Sequence, residues 1–290
     1  MSVTSPAPPR MGYRRQQLLA RIVIYTILAL VALLFLMPLL WMLSTSFKPK
    51  SQWFSRELYW FPQTFTLQNY TTLLNNRTTP IFRWFFNSLG VGIAATVLIV
   101  LIDALAAYAY ARMEFRGRRL LFGLLLSTLF LPGVMFLVPN FLTIYRLGLL
   151  NNYAGVIMPG LAGVFGVFFL RQFFETIPKD IEESAEIDGA SQLQIFFRVV
   201  LPLAQSALAT LAVITFLGSW NDFLWPLLIL KDRALQTLPP GLRTLQGAYT
   251  SEYGQMMAGA VIAAVPVLIL YAALQRYIVQ SVATTGLAGQ

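Results

Sequence analysis

The chain of 290 residues contains no cysteine and no histidine. Their absence excludes disulfide bonds, thiol nucleophiles, haem ligation, the usual zinc sites and every catalytic dyad that relies on histidine. Charge is also scarce, because only 11% of the residues are charged, against about a quarter in an ordinary soluble protein. Together with 57% hydrophobic residues, this shortage excludes an ordinary cytosolic protein.

Six long apolar windows hold the excess of hydrophobic residues. A helix that crosses a bilayer needs about 20 such residues, with a range of about 17 to 25. We therefore predict an all-α polytopic membrane protein with six transmembrane helices between residues 22 and 278, flanked by tails 1–21 and 279–290. The first window is too long for a signal peptide core and no small-residue cleavage site follows it, so we interpret it as an uncleaved span. The windows are 22–43, 86–110, 120–139, 153–170, 206–230 and 257–278.

The placement of the basic residues predicts the orientation in the membrane. The net charge is +9, but Lys and Arg lie beside the apolar windows and form no single basic face, so we expect no nucleic-acid partner. With six spans both termini lie on one side. If that side is the cytoplasm, twelve Lys and Arg lie in inside segments and nine in outside segments, which is the bias found in membrane proteins.

The polar segment 171–202 interrupts the apolar pattern between the fourth and fifth windows. Pro178 precedes a run of helix formers with acidic residues early, as a helix N-terminus favours. Gly189 ends this helix, and a second short helix is expected to break at Leu201-Pro202. Two short helices that meet at a glycine suit a docking element for a partner. An amphipathic helix that lies on the membrane without a partner fits the composition equally well.

The spacing of this segment resembles the E-A-A signature of permease subunits of ATP-binding-cassette importers. Glu183-Ser184-Ala185 is followed by Gly189. Nine residues then separate Gly189 from Val199-Val200-Leu201-Pro202, and Ser184 stands in place of Ala and Val199 in place of Ile. Further stretches are similar to the carbohydrate-uptake branch, and the six spans resemble the maltose-type second permease. These stretches are Ile177-Pro178-Lys179-Asp180-Ile181-Glu182-Glu183, Asp188-Gly189-Ala190, Asn87-Ser88 and Trp220-Asn221-Asp222-Phe223-Leu224-Trp225-Pro226-Leu227.

The resemblance implies a type I importer permease fold in the bacterial inner membrane. It also implies a heterodimer with a second permease, two copies of an ATPase subunit that bind ATP and Mg, and an extracytoplasmic sugar-binding protein. This chain has no G-x-x-x-x-G-K-[ST] phosphate loop, so we expect neither enzymatic activity nor a cofactor in it. The residues that the resemblance assigns to ATPase coupling are Glu182, Glu183, Ala185, Asp188, Gly189, Ala190, Leu201 and Pro202.

Two acidic residues, Asp103 and Asp222, fall inside apolar windows, where each costs roughly 2.5–3.5 kcal/mol to insert. One interpretation is a sugar pathway in which Asn221 and Asp222 bond hydroxyl groups while Trp220 or Trp225 offers a flat apolar face to a sugar ring. The alternative is that these groups bond neighbouring helices around the break at a proline. For Asp103 we favour such structural bonding.

The outside loop 231–256 is rich in turn residues. The resemblance to the maltose system implies that this loop reaches into the binding protein; a plain exposed connection is the alternative. Two other function classes remain for the whole chain. An ion-coupled secondary transporter needs coupling-ion ligands and usually internal repeats, and it leaves the signature at 183–202 unexplained. An intramembrane enzyme would need catalytic residues, but this chain has no histidine, no cysteine and no closely paired acids.

Overall fold

The computed structural model describes residues 10–53, 57, 59–76, 78–161, 163–245 and 252–287, with side chains from residue 15 to residue 273. Across these ranges every regular element is helical and no strand occurs. The predicted all-α class is therefore confirmed.

Three uninterrupted helices are long and apolar enough to cross a bilayer. They are α1 (Arg10–Ser46), α3 (Ile81–Arg112) and α14 (Tyr253–Leu287), and they contain the predicted spans 22–43, 86–110 and 257–278. The short helix α2 (Gln68–Asn75) lies in the connection between α1 and α3.

The other three spans are not single straight helices. Helix α4 (Arg118–Ser127) and helix α5 (Leu137–Arg146) belong to a pair that bends by 98°. The bend follows Pro132, whose backbone is extended and which has no N–H to continue a helix. Helices α6 (Tyr153–Ile157) and α7 (Val164–Thr176) form a second bent pair. The third bent pair joins Gln192–Leu203 to Gln205–Asn221. If each of the three bent pairs is one span, the described residues contain up to six spans.

The polar segment between α7 and the next long helix folds as a chain of short helices. It contains α8 (Lys179–Ile187), α9 (Gln192–Ile195), a π-helical turn (Phe196–Val200) and α10 (Leu201–Leu203). The break expected at Leu201-Pro202 lies two residues later, at Ala204. Pro202 occupies the first turn of α10, where its missing N–H costs no helical hydrogen bond.

Helix α11 (Gln205–Asn221) starts after an 81° bend, and α12 (Leu224–Ile229) and α13 (Leu238–Arg243) follow it. Two buried clusters lie along α3. One joins α3 to α7, the π-helical turn and α11 through residues such as Ala107, Phe174, Phe196 and Leu211. The other joins the opposite end of α3 to α2, α11, α13 and α14 through residues such as Trp84, Leu73, Trp220, Leu238 and Ala258.

Candidate coupling and pathway sites

The turn between α8 and α9 is built around Gly189, whose φ is +82°. The Gly189 N–H donates to the Glu186 carbonyl at 2.9 Å, and the Ala190 N–H donates to the Ala185 carbonyl at 3.0 Å. These two bonds form a Schellman motif, which ends a helix with a left-handed residue. No described atom beyond the neighbouring backbone lies within 4 Å of a Cβ placed on Gly189, so glycine is required here for its conformation and not for space.

The signature residues on both sides of the turn divide into an inner and an outer set. Ala185, Ala190 and Leu201 are half-buried against the cluster that joins α3, α7 and α11. Ser184 is exposed, and its hydroxyl donates to the Asp180 carbonyl of the preceding turn at 2.7 Å. Serine is therefore accommodated where the signature has alanine, because this position faces away from the core.

Glu182, which the resemblance assigns to ATPase coupling, faces the interior of the protein, and its coupling role stays a prediction. Its carboxylate accepts a hydrogen bond from Arg112 Nε at 2.6 Å, and the two side chains are 9% and 7% exposed. The Arg112 guanidinium also donates to the carbonyls of Phe174 and Ile177, at 2.7 and 2.8 Å. These carbonyls lie at the end of α7, where i+4 helical donors are lacking, although the Phe174 carbonyl also accepts from the Ile177 N–H at 3.1 Å. Arg112 thus ties α3, α7 and α8 together.

The outward side of the segment carries acidic and apolar groups. Glu183, Glu186 and Asp188 are exposed, and the side chains of Ile187 and Leu193 are 86% and 63% exposed. Glu183 and Ile187 are four residues apart and share one face of α8. We call the exposed residues Glu183, Ile187 and Leu193 the coupling face, after the role predicted for this segment. Exposed apolar residues inside an otherwise polar segment are typical of a docking surface.

A second side-chain bridge connects this segment to α3. The Glu186 carboxylate accepts a hydrogen bond from Gln192 Nε2 at 2.5 Å, and Gln192 Oε1 accepts one from the Tyr108 hydroxyl at 2.9 Å. The start of α9 is fixed by a capping box between Ser191 and Gln194. Sequence reasoning missed Arg112 and Tyr108, although an arginine at the end of an apolar window was a visible signal.

Among the four predicted pathway residues, Asp222 lines a cleft. It lies at the break between α11 and α12, where its Oδ1 accepts a hydrogen bond from the Trp225 N–H at 3.3 Å. The cleft is formed by α3, α6 and α11, and beside Asp222 it is lined by Thr215, Gly218, Ser219, Val91, Ala95, Ile99, Val156, Ile157 and Gly160.

The two tryptophans bond neighbouring helices, as the structural alternative expects. Trp220 is 2% exposed, and its Nε1 donates to the Ala263 carbonyl at 3.2 Å. Trp225 Nε1 donates to the Gly155 carbonyl at 3.2 Å. Asn221 is exposed. Trp220 therefore offers no free ring face to a sugar in this conformation, and the pathway role of these residues stays a prediction.

Asp103 is 1% exposed and packs against the start of α7. A Cβ placed on Gly166 would lie 1.9 Å from Asp103 Oδ2, so the glycine makes room for the carboxyl group. Oδ1 has no hydrogen-bond partner among the described residues. Asp103 thus fills a gap between helices, and the structural bonding expected of it stays a prediction.

The first part of loop 231–256 is held by the opposite end of α3, while residues 246–251 lie outside the described residues. Asn87 Nδ2 donates to the carbonyls of Ala234 and Gln236, both at 2.9 Å. The Ser88 hydroxyl accepts a hydrogen bond from the Leu238 N–H at 2.7 Å. Trp84 Nε1 donates to the Arg233 carbonyl at 2.7 Å. Sequence reasoning singled out Asn87-Ser88 without recognising this role.

An all-α, multi-pass chain with a helix–Gly–helix signature segment defines a permease subunit of a membrane transporter. The chain belongs to the family described as binding-protein-dependent transport system inner membrane component, which matches residues 104–284. The predicted importer-permease class is confirmed, and the secondary-transporter alternative loses its support.

Comparison with known proteins supports this membership. The chain is 34% identical to the arabinooligosaccharides transport system permease protein AraQ of Bacillus subtilis, over 93% of this chain and 96% of that protein. It is 36% identical to the diacetylchitobiose uptake system permease protein NgcG of Streptomyces coelicolor, over 89% and 86%. A chain of a bacterial ABC transporter that imports the acidic polysaccharide alginate matches with a TM-score of 0.80 and 26% identity, over 94% and 99%.

Proposed function

We propose that this chain forms half of the translocation pathway of an ATP-driven sugar importer in a bacterial inner membrane. Its partners are a second permease, two copies of an ATP-binding-cassette ATPase and an extracytoplasmic sugar-binding protein. Relatives named for arabinooligosaccharides, diacetylchitobiose and lactose support a sugar as the substrate. The observation that carries the proposal is the left-handed turn at Gly189, which presents an acidic and apolar coupling face.

The coupling face docks on the ATPase at the cytoplasmic side, where both termini of the chain also lie. Glu183 pairs there with a basic group of the ATPase, and Ile187 and Leu193 enter an apolar part of the same cleft. A charge pair of this kind is partly desolvated, so removing one partner leaves the other unpaired. ATP and Mg are held by the ATPase subunits, because this chain has no phosphate loop.

The substrate passes the cleft lined by Asp222 between α3, α6 and α11. The Asp222 carboxylate accepts hydrogen bonds from sugar hydroxyls, and the hydroxyls of Ser219 and Thr215 line the same cleft. Trp225 holds α12 against α6 next to this cleft, because its indole N–H donates to the Gly155 carbonyl of α6. Loop 231–245 lies on the extracytoplasmic side and meets the binding protein.

A matched pair of charge-removing variants tests this function. Glu183→Gln and Glu186→Gln each remove one negative charge, but the new amide at residue 186 retains an oxygen that accepts from Gln192. ATPase attachment to membranes and ATP hydrolysis are measured with the coexpressed complex. We expect Glu183→Gln to weaken attachment at least about tenfold, while Glu186→Gln attaches as the unmodified chain does. Equal behaviour of the two variants would contradict a specific role for Glu183.

A further inference from the structure

Helix α3 is one uninterrupted helix of 32 residues, Ile81–Arg112. Several of its neighbours differ from it, because the pairs that contain α4 and α5, α6 and α7, and α10 and α11 are each bent at a break. A break is a place where a displacement at one end of a span can be absorbed. Helices α3 and α11 both contribute residues to the two buried clusters, and of these two α11 belongs to a bent pair whereas α3 does not.

One end of α3 holds both short helices of the coupling segment. Tyr108 and Arg112 are four residues apart and share a face of the helix. Arg112 binds Glu182 of α8 at 2.6 Å, and Tyr108 binds Gln192 of α9 at 2.9 Å. The two contacts therefore lie on opposite sides of the turn at Gly189. A force on either short helix reaches α3 directly.

The opposite end of α3 holds loop 231–245. Trp84, Asn87 and Ser88 make four hydrogen bonds of 2.7–2.9 Å to the backbone of residues 233–238. Gly241 packs so closely on the Trp84 ring that a Cβ there would lie 2.4 Å from it. The loop therefore follows any movement of this end of α3. Asn87 and Arg112 lie about 38 Å apart along the helix at 1.5 Å per residue.

We propose that α3 transmits the state of the ATPase to loop 231–245, with Arg112, Tyr108 and Asn87 as positioning residues at its two ends. The inference rests on the proposed function, because it needs an ATPase on the coupling face. It goes further in naming the element that connects the two partner surfaces and the side chains that attach it. The physical requirement is a rigid element clamped at both ends, and α3 satisfies it.

The absence of cysteine makes a single-site reporter possible. Arg243 is exposed on α13, so Arg243→Cys gives a parent chain with one thiol beside the loop. The parent is assembled with the second permease and the ATPase subunits in lipid nanodiscs. The rate of maleimide labelling at residue 243 is measured without nucleotide and after trapping with ATP, Mg²⁺ and vanadate. We expect trapping to change this rate at least about fivefold, the lower end of typical coupling between sites.

Three variants in the parent chain test the attachment points. The double variant Arg112→Gln with Glu182→Gln removes the ion pair without leaving a buried charge unpaired. Tyr108→Phe removes only the hydroxyl that binds Gln192, and Asn87→Ala frees two loop carbonyls. Gly90→Ala is the matched control on α3, since a Cβ at residue 90 meets no described atom within 4 Å.

We expect the double variant and Asn87→Ala to hydrolyse ATP while labelling at residue 243 no longer responds to trapping. Tyr108→Phe is expected to weaken the response, and Gly90→Ala to retain it. Tyr108→Phe keeps the buried ring, so it tests the proposal even if the double variant does not assemble. A parent that shows no response, or variants that all respond as the parent does, would overturn transmission through α3. Failure of the ATPase to attach to the parent would instead overturn the proposed function.

Discussion

Replacement of Gly189 by asparagine, alanine and valine separates conformational strain from loss of space. The residue has a φ of +82° with no described atom near its missing Cβ, so the cost is set by the backbone. A left-handed conformation costs an ordinary L-residue roughly 1–2 kcal/mol, asparagine tolerates it better, and a β-branched residue adopts it least readily. The loss of ATPase attachment should therefore increase from asparagine to alanine to valine.

This cost fixes the size of the expected effect. A free-energy difference of 1–2 kcal/mol lowers the ratio of correctly formed to open turn by about 5- to 30-fold. We therefore expect Gly189→Ala to weaken ATPase attachment to membranes by about this factor. Gly189→Asn should stay close to the unmodified chain, and Gly189→Val should lose attachment and uptake. Attachment is measured by sedimenting membranes over a range of ATPase concentrations, normalised to the amount of permease.

Gly148 provides a matched control in the same chain. Its φ is +69° with no described atom near a Cβ, and the same pair of bonds closes its turn, from Gly148 to Tyr145 and from Leu149 to Ile144. Gly148→Ala therefore carries the same backbone strain in the connection between α5 and α6. It should lower thermal stability about as much as Gly189→Ala without weakening attachment. Equal loss of attachment in both variants, or normal attachment of Gly189→Val, would refute the reasoning.

Three further outcomes follow from the same contacts. Asp222→Asn should weaken sugar transport while a gel-filtration trace still shows the assembled complex; loss of the complex would favour a structural role. Gly241→Ala should destabilise the protein by roughly 1–3 kcal/mol in a thermal unfolding assay, because the new Cβ would lie 2.4 Å from the buried Trp84 ring, whereas Gly90→Ala should not. The purified chain alone should bind no ATP in equilibrium dialysis, and saturable binding would contradict the assignment of ATP to a separate subunit.

Local patterns predicted the local features of this fold. The length of an apolar window is set by the bilayer, so the spans within α1, α3 and α14 could be found from composition alone. The turn at Gly189 could be found as well, because a Schellman motif depends on neighbouring residues. The bend near Pro132 could not be inferred from hydropathy, since both halves of the pair are apolar and their angle depends on packing against other helices.

Contacts between distant residues explain what the sequence did not reveal about the sites. Glu182 and Glu183 are adjacent and chemically alike, and only Arg112, 70 residues earlier in the chain, turns Glu182 inward. Trp220 lies beside a candidate pathway acid, but its burial depends on Phe85 of α3 and the Ala263 carbonyl of α14 as well as on Phe216 of its own helix. No periodicity within one segment encodes Arg112, Phe85 or Ala263 as a partner.

The anchoring of loop 231–245 has a consequence for how such proteins diversify. Trp84, Asn87 and Ser88 bond to backbone atoms of the loop, and Asn151 Oδ1 accepts from the backbone N–H groups of residues 231 and 232. Side chains outside the loop thus hold much of its backbone, together with Asp232, whose Oδ1 accepts from the Ala234 N–H at 2.8 Å, while the side chains at positions 231 and 233 are exposed. Substitutions at positions 231 and 233 therefore alter the surface without removing these backbone contacts. The loop is therefore a natural unit for grafting, in which recognition can evolve separately from architecture.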